Sequence, residues 1–431
     1  MADQYFVGLR AIDDLTSNER EESWRSGILR LFPNGMAPLT AITALLPTRK
    51  VPDAHYHWWT KTLTTQRSAV TNIFLDSALS SAYVSGGVSG DVLYVNIPVA
   101  GLGMFRQGHQ VLLRDASDYT VDVVAKVDAV VSNGASSYLV VTLLEDDDNS
   151  ASNDLSNADS ILIIGNMNPM GGSRPEAINQ TPTEFENYTQ IFRNSLDLSR
   201  TLMETRLRTE DAYLEAKRDA LEQHSIEMEK ALIWGVNSLG TGENGKPEYT
   251  TRGLLSFIKE YGTIQDYETD PATAWDGTTW IAGGVEWLNE HLEEIFRYGG
   301  TERLALCGSG ALLGIQRLVL NAGSYNIAYR EAAFGIQVVE WTTPFGMITL
   351  KTHPLFSYEE TNRHSMMIVD PTKLEWAYIT DTTFFPDESY MKGGNLGIDG
   401  KQEEYLTEGG LEVHHPETMG YLNGIGKDNP V

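Results

Sequence analysis

The stretch NYTQIFRNSLDLSRT, residues 187–201, decides how the chain is read, because it runs into a long charged segment with no Gly or Pro between them. Taken two residues at a time, Tyr188, Phe192, Leu196 and Leu198 share a face with Gln190 and Asn194. The other face carries Thr189, Arg193, Ser195, Asp197 and Ser199, with Ile191 as its one apolar group. Such alternation predicts a half-buried strand. A helical reading stays open, since Tyr188, Ile191, Phe192 and Leu202 also gather at about 100° per residue. The next segment, RLRTEDAYLEAKRDALEQHSIEMEKALIWG (206–235), is made of helix formers and has no breaker before Gly235. A helix from Arg206 to Trp234 would be a rod of about 45 Å. Its apolar stripe reads Leu207, Leu214, Leu221, Met228 and Leu232. The second seam position is mostly charged, so the rod is expected to lie across a sheet or a neighbouring subunit rather than in a coiled coil.

Working outward, residues 250–370 alternate helix-like and strand-like pieces. WIAGGVEWLNEHLEEIFRYGG reads as an amphipathic helix ending at Gly299, RLALCGSGALLGIQRLVLNAG as a strand turning at Gly308 into a helix, and GIQVVEWTTPFGMITLKTHPLF as a hairpin around Pro344 and Gly346. This is the pattern of an α+β domain. After Asp370 the sequence reads as a polar tail with a late strand and turn in KQEEYLTEGGLEVHHPETMGYLNGI. On the N-terminal side, residues 82–165 hold short runs rich in Val, Ile, Leu and Tyr, separated by GG, NG and acidic turns, which predicts a small β-barrel. In VPDAHYHWWTKTLTTQ, an extended chain puts His55, His57 and Trp59 on one side and Tyr56, Trp58 and Thr60 on the other, so both faces need cover. Residues 1–50, with a helix start at Ser17 and breakers at Pro33, Pro38 and Pro47, read as an arm.

Composition narrows the function. The 431 residues are 41% hydrophobic and 21% charged, which is the balance of an ordered globular chain. A formal charge of −27 and the lack of a basic cluster argue against specific nucleic-acid binding, yet suit a wall that encloses DNA without adsorbing it. One cysteine, Cys307, excludes an intramolecular disulfide framework. MADQYF lacks the basic and apolar regions of a secretory signal, and no apolar run approaches the length of a membrane span, so a soluble protein made in a cytoplasm is expected.

The motifs that could carry chemistry each fail a requirement. GTGENGKP (240–247) has the spacing of a phosphate loop up to Lys246, but Pro247 stands where a hydroxyl should bind Mg²⁺. GLGMFRQG (101–108) has two glycines of a dinucleotide fingerprint and Arg106 in place of the third. His55, His57, His414 and His415 suggest a metal, but no carboxylate or thiolate joins them at ligand spacing. Asp146, Asp147 and Asp148 lack the glycine and terminal glutamate of a calcium loop and read as a solvated acidic loop. Cys307 in ALCGSG reads as a buried structural thiol, and Ser309 lacks a full nucleophile elbow. No catalytic, cofactor or metal residue is therefore nominated, and the chain is not expected to be an enzyme.

Three stretches carry a family resemblance: PLTAITALLPTRKVPDAHYHWWTKTL (38–63), NYTQIFRNSLDLSRT with the helix ending EKALIWG, and TEGGLEVHHPETMGYLNGI (407–425). Together they resemble the major capsid proteins of tailed double-stranded DNA phages, with the Hong Kong ninety-seven type capsid fold. The resemblance implies an N-terminal arm at 1–50, an extended loop at 51–75 and 171–205, and an inserted β-barrel domain at 76–170. It further implies a peripheral domain with the spine helix at 206–264 and 371–431, and an axial domain at 265–370. On this reading the strand feeds the helix because one is an arm and the other its anchor. The implied function is a structural capsid subunit that self-assembles through pentamers and hexamers into an icosahedral head around double-stranded DNA. Assembly would occur in the host cytoplasm with a separate scaffolding protein, a portal and a decoration or cement protein, and without a membrane. Two other functions fit the residues: an encapsulin-like compartment, and a virion surface protein holding a glycan on Trp and Tyr platforms of the barrel. An enzyme relying on acidic pairs is a third, for which no pair can be named.

Overall fold

The computed structural model describes residues 46–116, 122–147, 155–205, 211–270, 279–322, 327–332, 336–387 and 399–427; of 322–339 only the backbone is described. The N-terminal arm and Leu207 lie outside these residues. The chain forms two compact units, Lys61–Thr183 and the remainder.

In the larger unit, the strand predicted from residues 187–201 is present as Gln190–Ser199. Phe192, Leu196 and Leu198 are buried and Ile191 is exposed, as the alternation required. It pairs antiparallel along its whole length with the strand Gly400–Val413, from Gln190 opposite Gly409 to Ser199 opposite Gly400. Leu374–Phe385 pairs on the far side of Gly400–Val413, and Thr48–Lys50 completes a four-stranded sheet. The region after Asp370, expected to be a polar tail, thus supplies an inner strand. Its leading residues Leu374, Trp376 and Ala377 are buried.

Ser199 ends the strand and caps a short helix, Arg200–Glu204, by accepting a bond from the Leu202 amide. The long helix then spans Ala212–Trp234, started by Asp211, whose side chain accepts from the Tyr213 and Leu214 amides. Its buried face is not the expected leucine stripe. Leu214 and Leu221 are 53% and 41% exposed, whereas Ala220, His224, Met228, Glu229, Leu232 and Ile233 are buried. Met228, Leu232 and Ile233 share a core with Phe257, Trp376, Leu411 and Val413.

A seven-stranded sheet follows in the order Thr263–Asp266, Gly420–Asn423, Met366–Val369, Glu302–Cys307, Met347–Thr352, Ile336–Thr342, Ile327–Ala332. The helix Trp280–Phe296, the strand-to-helix turn into Ser309–Ala322 and the antiparallel hairpin around Pro344 are as predicted. Met366–Val369 is buried throughout because both faces of the sheet are covered. Leu306, Met367 and Val369 face the core of the long helix, while Ala305, Cys307, Met366 and Ile368 face a second core with Trp280, Trp287 and Ile315. The C-terminal strand Gly420–Asn423 lies inside this sheet, beside Met366–Val369.

The smaller unit is the expected β-barrel, and it recruits chain from before residue 76. Its antiparallel sheet runs Arg67–Ala69, Ser160–Asn166, His109–Arg114, Asp122–Val131, Tyr138–Leu143, Val92–Asn96, Asn72–Phe74. The two edge strands are consecutive in sequence, so the sheet closes on itself. The Val70 amide bonds the Asp159 carbonyl at one edge, and the next amide, Thr71, bonds the Asn96 carbonyl at the other. Closure removes the exposed edges that would otherwise template aggregation. Alternate residues, including Leu93, Val95, Val111, Leu113, Ala125, Val127, Leu139 and Val141, fill the interior.

Candidate functional site

The residues with most claim to function lie on a two-stranded ribbon, His55–Thr60 with Thr183–Tyr188, and on the long helix. Along His55–Thr60, Tyr56, Trp58 and Thr60 are buried and Trp59 is 62% exposed. The expected two faces exist, but the chain covers one of them itself. Tyr56 Oη donates to the Leu411 carbonyl at 2.8 Å, Trp58 Nε1 to the Val413 carbonyl at 3.0 Å, and Asn187 Nδ2 to the Leu411 carbonyl at 2.8 Å. Three side chains of the ribbon thus clamp the backbone of Gly400–Val413. The glycine pair in TEGGLEV makes room for this. A Cβ on Gly410 would stand 2.7 Å from Tyr56 Oη, and one on Gly409 would stand 2.5 Å from the Trp376 ring. Burial pushes the Tyr56 hydroxyl far above the usual phenol range, helped by the neighbouring Glu412 carboxylate, so it stays a neutral donor.

The helix is anchored on the same sheet by His224. Its Nδ1 stands 2.7 Å from Asn194 Oδ1 and its Nε2 stands 2.7 Å from Thr407 Oγ1. Asn194 Nδ2 donates to Glu227, so Asn194 Oδ1 is the acceptor and His224 Nδ1 carries the proton. One imidazole therefore ties the helix to both the incoming strand and its partner. Burial lowers the His224 pKa, with Glu227 opposing. Two buried pairs brace the rest. Arg303 donates to Asp370 and to the carbonyls of Tyr298, Gly300, Glu302 and Thr418. His353 Nδ1 accepts from the Leu355 amide, which leaves Nε2–H to donate to Glu229 at 2.8 Å. Sequence reasoning missed His224, Arg303 and His353, whose side-chain partners lie 30 to 183 residues away.

The predicted motifs fall as follows. GTGENGKP is the turn of a hairpin, Ser238–Thr241 with Pro247–Thr250, where the Gly242 amide is spent on the Lys246 carbonyl and the Gly245 amide on the Gly242 carbonyl. GLGMFRQG is a turn of the barrel that includes the end of the short helix Val99–Leu102. Cys307 is fully buried with its pKa pushed up to about 12, so it is an inert thiol. Asp147 is a correction: it is buried rather than solvated, accepting from Tyr83 Oη and the Leu155 amide, while Asp148 lies outside the described residues. The histidines do not converge on one site: the two groups among the described residues that could hold a metal contain His55 with His57, and His414, and neither contains His415. His414 faces Glu412, which also accepts two bonds from Arg49, whereas His55 and His57 meet Glu184 and Glu186 across the ribbon. The carboxylates that sequence spacing failed to show are therefore supplied by the fold.

Large apolar groups stay exposed on several elements: Trp59 on the ribbon, Ile191 on the strand, Leu214 and Leu221 on the long helix, Leu320 at 74% and Tyr358 at 83%. So many exposed apolar side chains suit surfaces that other chains cover. No helix among the described residues is long and apolar enough to cross a membrane.

Residues 10–426 match the SU10 major capsid protein family. The chain belongs to that family. It is a phage capsid protein with a structural role in the virion, and the strand and the long helix expected from its sequence are present as Gln190–Ser199 and Ala212–Trp234. This capsid protein is 23% identical over 436 residues to the major capsid protein of Pseudomonas phage PaMx41, covering 96% of each chain. Among solved structures it is similar to the capsid of Myoviridae phage XM1, with a TM-score of 0.41 and 11% identity over 95% of this chain and 98% of that one. Mycobacterium phage Bobi gives 0.41 and 10% over 94% and 96%. The SrpI encapsulin of Synechococcus elongatus PCC 7942 gives 0.39 and 12% over 59% and 79%.

Proposed function

We propose that this chain forms the pentamers and hexamers of an icosahedral phage head that encloses double-stranded DNA. The observation that carries the reading is the ribbon and helix pair. Each is locked to the chain's own sheet, and each leaves large apolar groups exposed, Trp59 on the ribbon and Leu214 and Leu221 on the helix. Cover for these groups comes from sister subunits, so the stability of the shell is a property of many modest contacts. The charge of −27 lets the inner wall hold DNA without adsorbing it.

Within this reading, the ribbon with its flanking chain is the extended loop, the long helix and its four-stranded sheet belong to the peripheral domain, and 265–370, joined in its sheet by Gly420–Asn423, is the axial domain. The barrel is an insertion that decorates or braces the shell. The chain works without catalysis, assembles in the host cytoplasm, and has as partners a scaffolding protein, a portal and a cement protein. Negative-stain microscopy of the expressed chain, alone and with the scaffolding protein of its phage, tests this. Shells, tubes or capsomer rings are expected. A particle that stays a single compact chain in both preparations overturns it.

A further inference from the structure

We propose that His55, His57 and Glu186 form a binding site for a divalent transition-metal cation of the zinc class. His55 and His57 are two residues apart on one strand and so project from the same face, with ring centroids 4.2 Å apart. Glu186 comes from the paired strand. His55 Nε2 lies 3.1 Å and His57 Nδ1 lies 4.0 Å from the same oxygen, Glu186 Oε2. The donor atoms of all three residues fall within 4.8 Å of one another. A tetrahedral zinc with bonds of about 2.0–2.1 Å separates its donors by about 3.3–3.4 Å, so small rotations bring this set to ligand geometry.

A second observation concerns His57 Nδ1. This atom is shielded from solvent and makes no hydrogen bond, although Glu184 Oε1 is 3.0 Å away. The approach is close but out of line for an N–H donor. Glu184 and Glu186 thus face this nitrogen at 3.0 and 4.0 Å, so a cation seated between the ring nitrogen and the carboxylate oxygens would be held by ligands of both kinds. The rings themselves are about one-third exposed, which leaves the ion a path in from solvent. Two imidazoles and one carboxylate leave a fourth position for water. The other candidate group, Glu375, Glu412 and His414, differs in kind, because the Arg49 guanidinium already neutralises Glu412.

The ion would join the strand on which the chain leaves for residues 61–183 to the strand on which it returns. It would act as a cross-strand staple at the root of that excursion. The experiment uses chelator-treated full-length protein, as subunits or shells, titrated with Co²⁺ and then Zn²⁺. One Co²⁺ per chain is expected, with the visible absorption of tetrahedral cobalt, displaced by Zn²⁺, and a rise in the melting temperature with Zn²⁺. His57→Ala and Glu186→Gln each weaken binding at least tenfold and remove the Zn²⁺ shift, whereas His414→Ala changes neither. Glu186 is half exposed, so its variant reports binding even if His57→Ala folds poorly. No stoichiometric cobalt band, a band that survives both ribbon variants, or one lost in His414→Ala overturns the proposal. None of these readouts depends on whether shells form.

Discussion

Replacing Leu232 and Leu214 by alanine on the same helix separates what holds the subunit together from what holds subunits to one another. Leu232 is completely buried among Phe257, Trp376 and Leu411. Truncation removes about 100 Å² of buried apolar surface, or about 2.5 kcal/mol at 25 cal/mol per Å². A partly collapsed cavity adds about 1 kcal/mol, for a total of about 3–4 kcal/mol. Leu214 is 53% exposed and leaves no cavity, so the same truncation costs about 1 kcal/mol, which alanine's better helix propensity reduces further. Urea denaturation of unassembled subunits measures both as midpoint shifts at constant slope. Sedimentation of the same variants under assembly conditions measures the second effect, and Leu214→Ala is expected to lower shell yield despite its intact fold. Equal destabilisation by the two variants would refute the assignment of Leu232 to the subunit core and of Leu214 to contacts between subunits.

Four further outcomes are expected. His224 has a pKa lowered mainly by burial, so above the ordinary imidazole value of about 6.5 both folded and unfolded chains hold it neutral and its anchoring is intact. As the pH falls below that value the unfolded chain takes up a proton that the folded chain resists. Stability should therefore drop towards the lowered folded pKa, and denaturant midpoints against pH should show a shallower acid limb in His224→Gln. Asp370→Ala strands the buried Arg303 cation and should cost about 3–5 kcal/mol in the same assay; a loss under about 1 kcal/mol would mean that the four carbonyls suffice. Gly308→Ala places a Cβ 2.2 Å from the Arg363 carbonyl oxygen and should abolish soluble expression, while Gly240→Ala, whose nearest neighbour is 3.8 Å away, should express normally. Trp59 should lose acrylamide quenching on assembly, read as the difference between wild type and Trp59→Phe; unchanged quenching in finished shells would place it outside the contacts.

What could be read from residues alone was whatever repeats locally. The alternation in Gln190–Ser199 and His55–Thr60 is fixed by neighbours two apart, and both strands have the faces it implied. The stripe on the long helix failed because cover changes along its length, not because of its spacing. Leu214 and Leu232 are eighteen residues apart, five whole turns, and share a face, yet Leu214 is 53% and Leu221 41% exposed while Leu232 is buried. Met228 and Leu232 meet the large core at the C-terminal end of the helix, whereas its earlier turns pack through Tyr213, Ala216 and Ala220 on Leu196, Leu198 and Tyr405. The buried residues Ala220, His224, Met228 and Leu232 are four apart and include a histidine, which no hydrophobic pattern counts as core. Its burial is stable only because Asn194 and Thr407 satisfy both ring nitrogens, and those partners are 30 and 183 residues away. The ribbon carboxylates were hidden in the same way, since Glu186 is 131 residues from His55. Asp147 was misplaced because an acidic run reads as solvated until Tyr83 is brought against it.

The chain departs at Thr60 and comes back at Glu184 on adjacent strands, and what lies between is a barrel sealed by its own first residues. A module with neighbouring ends and a complete core is a cassette: cutting it out and bridging the gap with a tight turn leaves the host sheet and helix with all their own bonds. The same junction would accept a foreign domain, so that each copy in a finished particle would carry one guest, at a spacing set by the lattice rather than by the guest.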